Sequence, residues 1–98
     1  MKIEFSGEIY LWSASEAWHF VNLPAGCTSE LKELTEGLRR GFGSIRVDAR
    51  VGKTSFRTSI FPDSKTGCFI LPLKKQVRVA ENLVAGGMVA VELELVDF

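Results

Sequence analysis

The segment 50-RVGKTSFRTSIFP-62 decides how this chain folds, because it contains the tripeptide Gly52-Lys53-Thr54. In a phosphate-binding P-loop, another glycine stands five residues before the Gly-Lys pair, and a helix follows it. Here that earlier position is Val47, inside an alternating apolar and polar run, and a second alternating run follows Thr54. The tripeptide therefore predicts a tight turn between two β-strands and not a nucleotide site.

Other parts of the chain show the same period of two, which is typical of half-buried strands. In the first of them, apolar residues at positions 3, 5, 9 and 11 alternate with mostly polar neighbours. In the last, valine and leucine alternate with alanine and glutamate. Together these runs predict six strands, at residues 2–12, 18–23, 44–51, 55–61, 68–73 and 88–96.

A helical period appears after the second strand. Leu31, Leu34 and Leu38 would line one side of a helix that begins at Thr28, with Thr28 or Ser29 as its N-cap. The basic pair at 39–40 precedes a stop at Gly41, which is a typical helix end. On the wet side, Glu36 and Arg40 are spaced to form an i,i+4 pair.

A second helix is predicted from about Lys74 to Val84. Its apolar side would carry Leu73, Val77, Ala80 and Val84. Lys74, Arg78 and Glu81 would lie on the opposite side. Gly86-Gly87 then predicts the turn into the last strand.

The predicted elements repeat in the order strand-strand-helix-strand. Pro24 and Pro72 precede the two helices, and each helix is followed by a glycine turn and an alternating strand. The two halves share the order of their elements and the positions of their prolines and glycines. This similarity predicts a mainly β fold with a pseudo-twofold ββαβ repeat over the single domain 1–98. Six short strands are enough to form a small closed or double-split barrel, which would remove exposed sheet edges.

Composition limits the possible functions. The 98 residues include 12 Lys plus Arg and 12 Asp plus Glu, so no global field attracts the protein to nucleic acid or to an anionic membrane. The N-terminal stretch lacks the features of a signal peptide, and no apolar run approaches a membrane span. Cys27 and Cys68 are far apart and form no CxxC motif. These features favour a cytoplasmic protein, and we expect no metal or other cofactor.

Four segments carry a resemblance that covers nearly the whole chain. They are "WHFVNLP", "SFRTSIFP", "FILPLKKQVRVAENL" and "GGMVAVELEL", in that order. With them the chain resembles the bacterial and archaeal family known as domain of unknown function 1905. It departs from that family at Phe56, where tryptophan is expected, and at Gly87, where aspartate is more common. The resemblance implies a six-stranded barrel and no agreed activity.

The segment "LPLKKQVRVAENLVAGGMVAVEL" is also similar to the strand-helix-strand unit of AbrB-like transition regulators. In those dimers each chain gives one unit, so two units in one chain imply a monomer. The resemblance implies DNA binding through basic residues on the barrel. Outward candidates are Arg46, Arg50, Arg57, Lys74, Lys75 and Arg78. The alternative is that these cations are solvated and are balanced by Asp48, Glu81, Glu92 and Glu94.

Catalytic residue types are few. His19 is the only histidine, and Cys27 stands close to the predicted start of the first helix, where a thiol pKa can be lowered. A Cys27–His19 pair would be the one nucleophile arrangement available. The alternative is a structural histidine and an inert thiol, so whether the protein is an enzyme stays open, with the non-enzymatic alternative preferred.

The remaining candidate is a small-anion or polar-ligand site made by Arg57, Thr58, Ser59, Lys74, Lys75 and Arg78, with Trp18 or Trp12 as an aromatic wall. Lys74 and Arg78 share a helical face, since four residues make about one turn. Arg57 and Thr58 point to opposite faces of one strand, so not all of these residues can converge. The alternative is that Thr58 and Ser59 satisfy backbone groups of the barrel or pack beside Phe61. We therefore expect a monomeric binding or interaction module for a small anion or a protein. Nucleic-acid binding is the second alternative, and an enzyme using Cys27 is the third.

Overall fold

The computed structural model describes residues 2–11, 18–35, 44–63 and 67–96; of residue 30 and residues 32–35 it describes the backbone and not the side chain. Its elements follow one another as β1 (Lys2–Leu11), β2 (His19–Asn22), α1 (Ala25–Thr35), β3 (Ile45–Val51), β4 (Thr54–Pro62), β5 (Phe69–Pro72), α2 (Lys75–Ala80) and β6 (Met88–Leu95). Among these ranges, no helix is both long and apolar enough to cross a membrane.

The six strands close into one antiparallel barrel in the order β1-β2-β5-β4-β3-β6, and β6 pairs again with β1. This architecture confirms the expected fold class, a mainly β barrel with two short helices. Alternate residues of each strand face inward, as the period of two predicted. Ile9, Val21, Ile60 and Leu71 are at most 1% exposed. Burial of each such side chain stabilises the fold by about 1.5–3 kcal/mol.

Gly52 and Lys53 form a two-residue loop between β3 and β4, because the last pair of the ladder is Val51 with Thr54. Gly52 adopts a φ of 58°, in the left-handed region that favours glycine. The prediction that this tripeptide turns the chain is confirmed, since a strand and not a helix follows it.

The side chain of Glu81, which directly follows α2, holds this turn. Its Oε2 accepts hydrogen bonds from the Thr54 hydroxyl at 2.7 Å and from the Lys53 N–H at 3.4 Å. The place that a Cβ on Gly52 would take is filled by the Glu81 carboxylate. The residue at position 52 must therefore be glycine for two reasons, its backbone angle and this contact.

The first helix begins earlier than predicted, at Ala25 and not at Thr28. The Thr28 N–H already bonds to the Pro24 carbonyl at 3.0 Å, so neither Thr28 nor Ser29 is the N-cap. The Thr28 hydroxyl is buried and accepts the N–H of Phe69 at 3.2 Å, which ties α1 to β5.

Leu31 is fully buried under α1, in agreement with its predicted place. The side chain of Leu34 and the expected features farther along, namely Leu38, the Glu36–Arg40 pair and the stop at Gly41, lie outside the described residues.

The second helix is shorter than predicted and ends at Ala80. Asn82 has a φ of 54°, a left-handed conformation that cannot continue a helix. Because the chain turns there, Leu83 packs against the core and Val84 is 65% exposed, which reverses the expected burial of Val84. Ala80 is also exposed. Leu73 and Val77 are buried as predicted.

The strand order is unchanged when the two ββαβ units are exchanged, so that β1, β2 and β3 take the places of β4, β5 and β6. The hydrogen bonds follow the same exchange. Leu23 donates its N–H to the Phe69 carbonyl, and Leu73 donates its N–H to the His19 carbonyl, both at 2.9 Å. Leu23 and Leu73 are therefore counterparts in a pseudo-twofold barrel.

The two prolines are not counterparts, although the sequence pattern aligned them. The carbonyl of Pro24 accepts the N–H of Thr28, and the carbonyl of Lys74 accepts the N–H of Arg78. Pro24 therefore corresponds to Lys74, while Pro72 lies two residues earlier, inside β5.

The pseudo-twofold axis crosses the barrel wall at two places. On one side Val21 pairs with Leu71, its own counterpart. On the other side Arg50 pairs with Glu92. Exchange of the two units places the β3–β4 ladder on the β6–β1 ladder. The pair Arg50–Ser55 then falls on the pair Glu92–Glu4, so Arg50 and Glu92 are also counterparts.

We predict that Gly52→Ala lowers the free energy of unfolding by about 2–3 kcal/mol. The left-handed backbone costs an alanine about 1–2 kcal/mol, and displacement of Glu81 removes hydrogen bonds worth roughly 1 kcal/mol each. Urea unfolding measures the change. The control is Gly86→Ala, where φ is 89° and no atom lies within 4 Å of the new Cβ.

Gly86→Ala should show only the loss of stability that comes from placing an alanine in a left-handed backbone conformation. In a Glu81→Ala background, the cost of Gly52→Ala should fall to the level of the control. An equal cost of Gly52→Ala with and without Glu81 would contradict the contact.

We further predict that Thr28→Val accelerates hydrogen exchange at the Phe69 amide and lowers the free energy of unfolding by about 1–3 kcal/mol, because a buried N–H loses its acceptor. Amide exchange followed by NMR measures both effects. The Leu23 amide, which bonds to the Phe69 carbonyl, serves as the internal reference. If both amides accelerate equally, the loss is global and the hydroxyl is not the specific acceptor.

Candidate functional site

The cations of α2 lie at the end of the barrel where β2 begins. Lys74 and Lys75 open the helix and are exposed. Arg78 is half-buried one turn later, and its Nε donates to the Leu73 carbonyl at 3.2 Å. This bond folds the Arg78 side chain back over the start of its own helix.

Arg78 also reaches β2. One of its terminal nitrogens, Nη1, lies 3.5 Å from Nε2 of His19. A guanidinium can only donate, so Nε2 is the acceptor in this contact. Nδ1 of His19 is buried and has no hydrogen-bond partner among the described residues.

Trp18 is the residue before His19 in the chain. Its side chain is 54% exposed, and its ring centroid lies 5.9 Å from that of Phe20. The β2–β5 register pairs Phe20 with Pro72, so its continuation brings Trp18 opposite Lys74. We call Trp18, Lys74, Lys75 and Arg78 the basic end.

The other three predicted site residues lie on β4. Arg57 is exposed on the outer face, while Thr58 and Ser59 are half-buried. The β4–β5 ladder pairs Phe61 with Ile70 and Pro62 with Phe69, and α2 contacts β4. Arg57 is directed elsewhere, because its guanidinium binds Asp48.

Arg57 and Asp48 are opposite each other on β4 and β3. Nε and Nη2 of Arg57 donate to the two carboxylate oxygens at 2.8 and 3.2 Å. These hydrogen bonds, together with the charge of Arg57, hold the pKa of Asp48 below its ordinary value of 3.8. The outer face of β3 and β4 therefore carries both signs of charge and is not a uniformly basic stripe.

Cys27 and His19 are not brought together. Cys27 lies in α1, beyond one end of β2, and packs against the core, while His19 opens the other end of β2 and contacts α2. Neither Cys27 nor Cys68 forms a disulfide. In the described ranges, no group of three or more His, Cys, Asp or Glu side chains could hold a metal ion.

Aromatic side chains cover the outside of β1 and β2. Phe20 is 7% exposed although it does not belong to the barrel core, because the rings of Trp18 and Tyr10 pack against it at 5.9 and 6.0 Å. The Tyr10 hydroxyl donates to Oδ1 of Asn22 at 2.8 Å. Burial, and next the negative charge of Asp63, raise the pKa of Tyr10.

Sequence reasoning missed a concavity on the opposite, charged side of the barrel. It has a volume of about 530 Å³, and its polar lining consists of Glu4, Ser6, Arg50 and Glu92. The alternating pattern already directed these side chains outward. Their proximity depends on the β1–β6 and β3–β6 registers, for which the sequence carries no local signal.

We predict that Arg57→Gln raises the pKa of Asp48 toward its ordinary value, as measured by NMR titration of the carboxyl carbon. Because the folded-state pKa is lowered, the stability from this pair is present above about pH 3.8 and is lost as the pH falls through the folded pKa. The variant should therefore lose less stability than the parent protein in that acidic range.

The matched control is Arg46→Gln, an exposed arginine on the same face of β3. It should leave the Asp48 pKa unchanged. A low Asp48 pKa that persists without Arg57 would contradict the assigned cause.

The model of the family described as "Domain of unknown function (DUF1905)" matches residues 5–93, which include all six strands in whole or in part and both helices. No curated protein gave a match. With nine-tenths of the chain matched, this protein belongs to the DUF1905 family.

Proposed function

We propose that this protein is a non-enzymatic binding module and that its ligand is a small anion held at the basic end by Lys74, Lys75 and Arg78. The observation that carries the proposal is the approach of Arg78 to His19, which joins the cations of α2 to the start of β2. Trp18 supplies an exposed aromatic surface at the same place.

The two lysines would supply the charge that a ligand meets first. Both side chains are exposed at the start of α2, and neither forms an ion pair within the described residues. An ammonium group on a long, mobile stem binds an anion as a point charge without fixed geometry. Such residues suit phosphate or carboxylate groups better than they suit an uncharged ligand.

Arg78 would give the site its geometry. Its Nε is held by the Leu73 carbonyl, so the plane of the guanidinium is fixed relative to α2. A planar donor held in place favours ligands with two acceptor oxygens, which it can bind with two parallel hydrogen bonds. Thr58 and Ser59 lie on β4, which α2 contacts, and would add hydroxyl contacts, whereas Arg57 is bound to Asp48.

The test uses the double variant Lys74→Gln/Lys75→Gln and inorganic phosphate as the probe. Amide chemical shifts of the parent protein should change at residues 18–19 and 73–78, and the double variant should bind roughly tenfold more weakly or worse, as the loss of charge-assisted hydrogen bonds requires. Its stability should stay within about 0.5 kcal/mol of the parent.

Lys53→Gln is the matched control, because Lys53 is an exposed lysine in the β3–β4 turn. It should bind phosphate as the parent does. Arg78→Glu should abolish binding, but Arg78 also supports α2, so its effect is interpreted only if the circular dichroism spectrum is unchanged. Absence of shifts at both segments, or an equal effect of the control, would show that the cations form a solvated face.

Nucleic-acid binding is a second candidate, and the exposed side chain of Trp18 is the observation that favours it. An aromatic ring beside cations can stack on a base while the cations bind the backbone. A short single-stranded DNA should then bind more tightly than phosphate, and its affinity should fall steeply with salt. Trp18→Ala should weaken DNA binding without changing phosphate binding.

We also propose that the protein acts as a cytoplasmic monomer, since its six strands complete the barrel within one chain. Sedimentation equilibrium at micromolar concentrations should give the mass of one chain, 10.9 kDa. A dimer mass would contradict the proposal.

A further inference from the structure

The concavity on the charged side of the barrel lies outside β1, β6 and β3, over the place where the pseudo-twofold axis passes between Arg50 and Glu92. Glu4 and Ser6 stand on one side of it, Arg50 on the other, and the small side chain of Ala90 leaves its middle open. We call it the axial groove. Its volume of about 530 Å³ falls within the range of small-molecule sites.

Two carboxylates of the groove face each other without an intervening cation. Glu4 and Glu92 are direct partners across the antiparallel β1–β6 ladder. Like charges at directly opposite positions destabilise a sheet. Glu4 makes no hydrogen bond or ion pair with a described residue, whereas Glu92 forms an ion pair with Lys2, whose Nζ lies 4.0 Å from Oε2. Two carboxylates and one ammonium group leave this subsite with a net negative charge.

The second cation beside Glu92, Arg50 on β3, turns away from the subsite. Arg50 is the direct partner of Glu92 on the β3 side, yet these opposite charges form no ion pair. Nε of Arg50 donates instead to the Gly52 carbonyl at 3.2 Å, which holds the guanidinium over the β3–β4 turn. Its two terminal amino groups have no partner among the described residues.

From this separation of charge, we infer that the axial groove binds a small zwitterion. The ligand's ammonium group lies between Glu4 and Glu92, and its carboxylate accepts hydrogen bonds from the terminal amino groups of Arg50. A simple anion would meet two carboxylates, and a simple cation would leave Arg50 without a partner. A molecule with both groups, such as an amino acid, satisfies both ends of the groove. This site is separate from the basic end and does not depend on the function proposed there.

The test is a titration of the full chain, followed by amide chemical shifts, with a series of ω-amino acids from glycine to 6-aminohexanoate. Butylamine and butyrate serve as probes that carry one charge each. One length of amino acid should shift the amides of residues 4–6, 50–52 and 90–92. It should bind at least roughly tenfold more tightly than either singly charged probe, since each probe lacks one charge-assisted contact.

Three variants locate the ligand. Glu4→Gln and Arg50→Gln should each weaken binding of the best amino acid by roughly tenfold, and Ala90→Leu should block it by filling the groove without changing a charge. Arg46→Gln, on the same outer face of β3 but outside the groove, should bind as the parent does.

The inference is overturned if none of the amino acids shifts these amides. It is also overturned if the singly charged probes bind equally well, or if Arg46→Gln weakens binding as much as Arg50→Gln. Because the four altered side chains lie on the outer face, each variant is first checked for a parent-like amide spectrum, and Glu92→Gln, which removes the other carboxylate of the subsite, replaces Glu4→Gln if that variant fails this check.

Discussion

The structure depends on strand pairing between its two halves. Within the first half, β1 pairs with β2, but β3 pairs only with β4 and β6, both of which belong to the second half. The same is true of β6, which pairs with β1 and β3. Neither half can therefore form a complete sheet alone, because its last strand would have no partner for its backbone N–H and carbonyl groups. The barrel core forms only when both halves are present, so the core, the helix positions and both candidate sites all depend on this exchange of strands.

Closure of the barrel gives its outer surface two different sides. Around the Val21–Leu71 crossing of the axis, the outward residues of β1 and β2 include Tyr10 and Phe20, whose rings pack together. Around the Arg50–Glu92 crossing, the outward residues are mostly charged. Along each strand the inward-facing residues must be apolar, because they form the core. The outward-facing residues are under no such requirement, so they can differ between the two sides. Ligand chemistry on this fold is therefore expected on the outside of the sheet and at its ends, where the helices join it.

The alternation of apolar residues was enough to predict all six strands, because each strand is half-buried and its period is strong. It predicted a barrel that was either closed or double-split, and the structure shows the closed form. The turn at Gly52-Lys53 could also be predicted, because its signal lies in neighbouring residues of the sequence. The helix boundaries were less predictable. Thr28 has the side chain of an N-cap, but its hydroxyl serves the Phe69 N–H, a partner 41 positions away in sequence. Val84 continued the helical period, but the left-handed turn at Asn82 moved it into solvent. The axial groove could not be predicted at all, because Glu4, Arg50 and Glu92 become neighbours only through the registers of two ladders.

Counterpart positions in the two halves carry similar side chains in the core and different side chains on the surface. In the core, Leu23 corresponds to Leu73 and Val21 to Leu71, so equivalent places hold similar apolar side chains. At the ends of the barrel, Thr28 corresponds to Arg78 and Phe69 corresponds to His19. At one end the buried Thr28 hydroxyl binds the Phe69 N–H. At the other end the Arg78 guanidinium contacts the His19 imidazole, and the residue before His19 is the exposed Trp18. On the axis, Arg50 corresponds to Glu92, so equivalent places carry opposite charges. A symmetric barrel needs none of these differences to close. They occur at the basic end and at the axial groove. Because closure of the barrel does not account for these differences, a binding function at each place is the explanation that we propose.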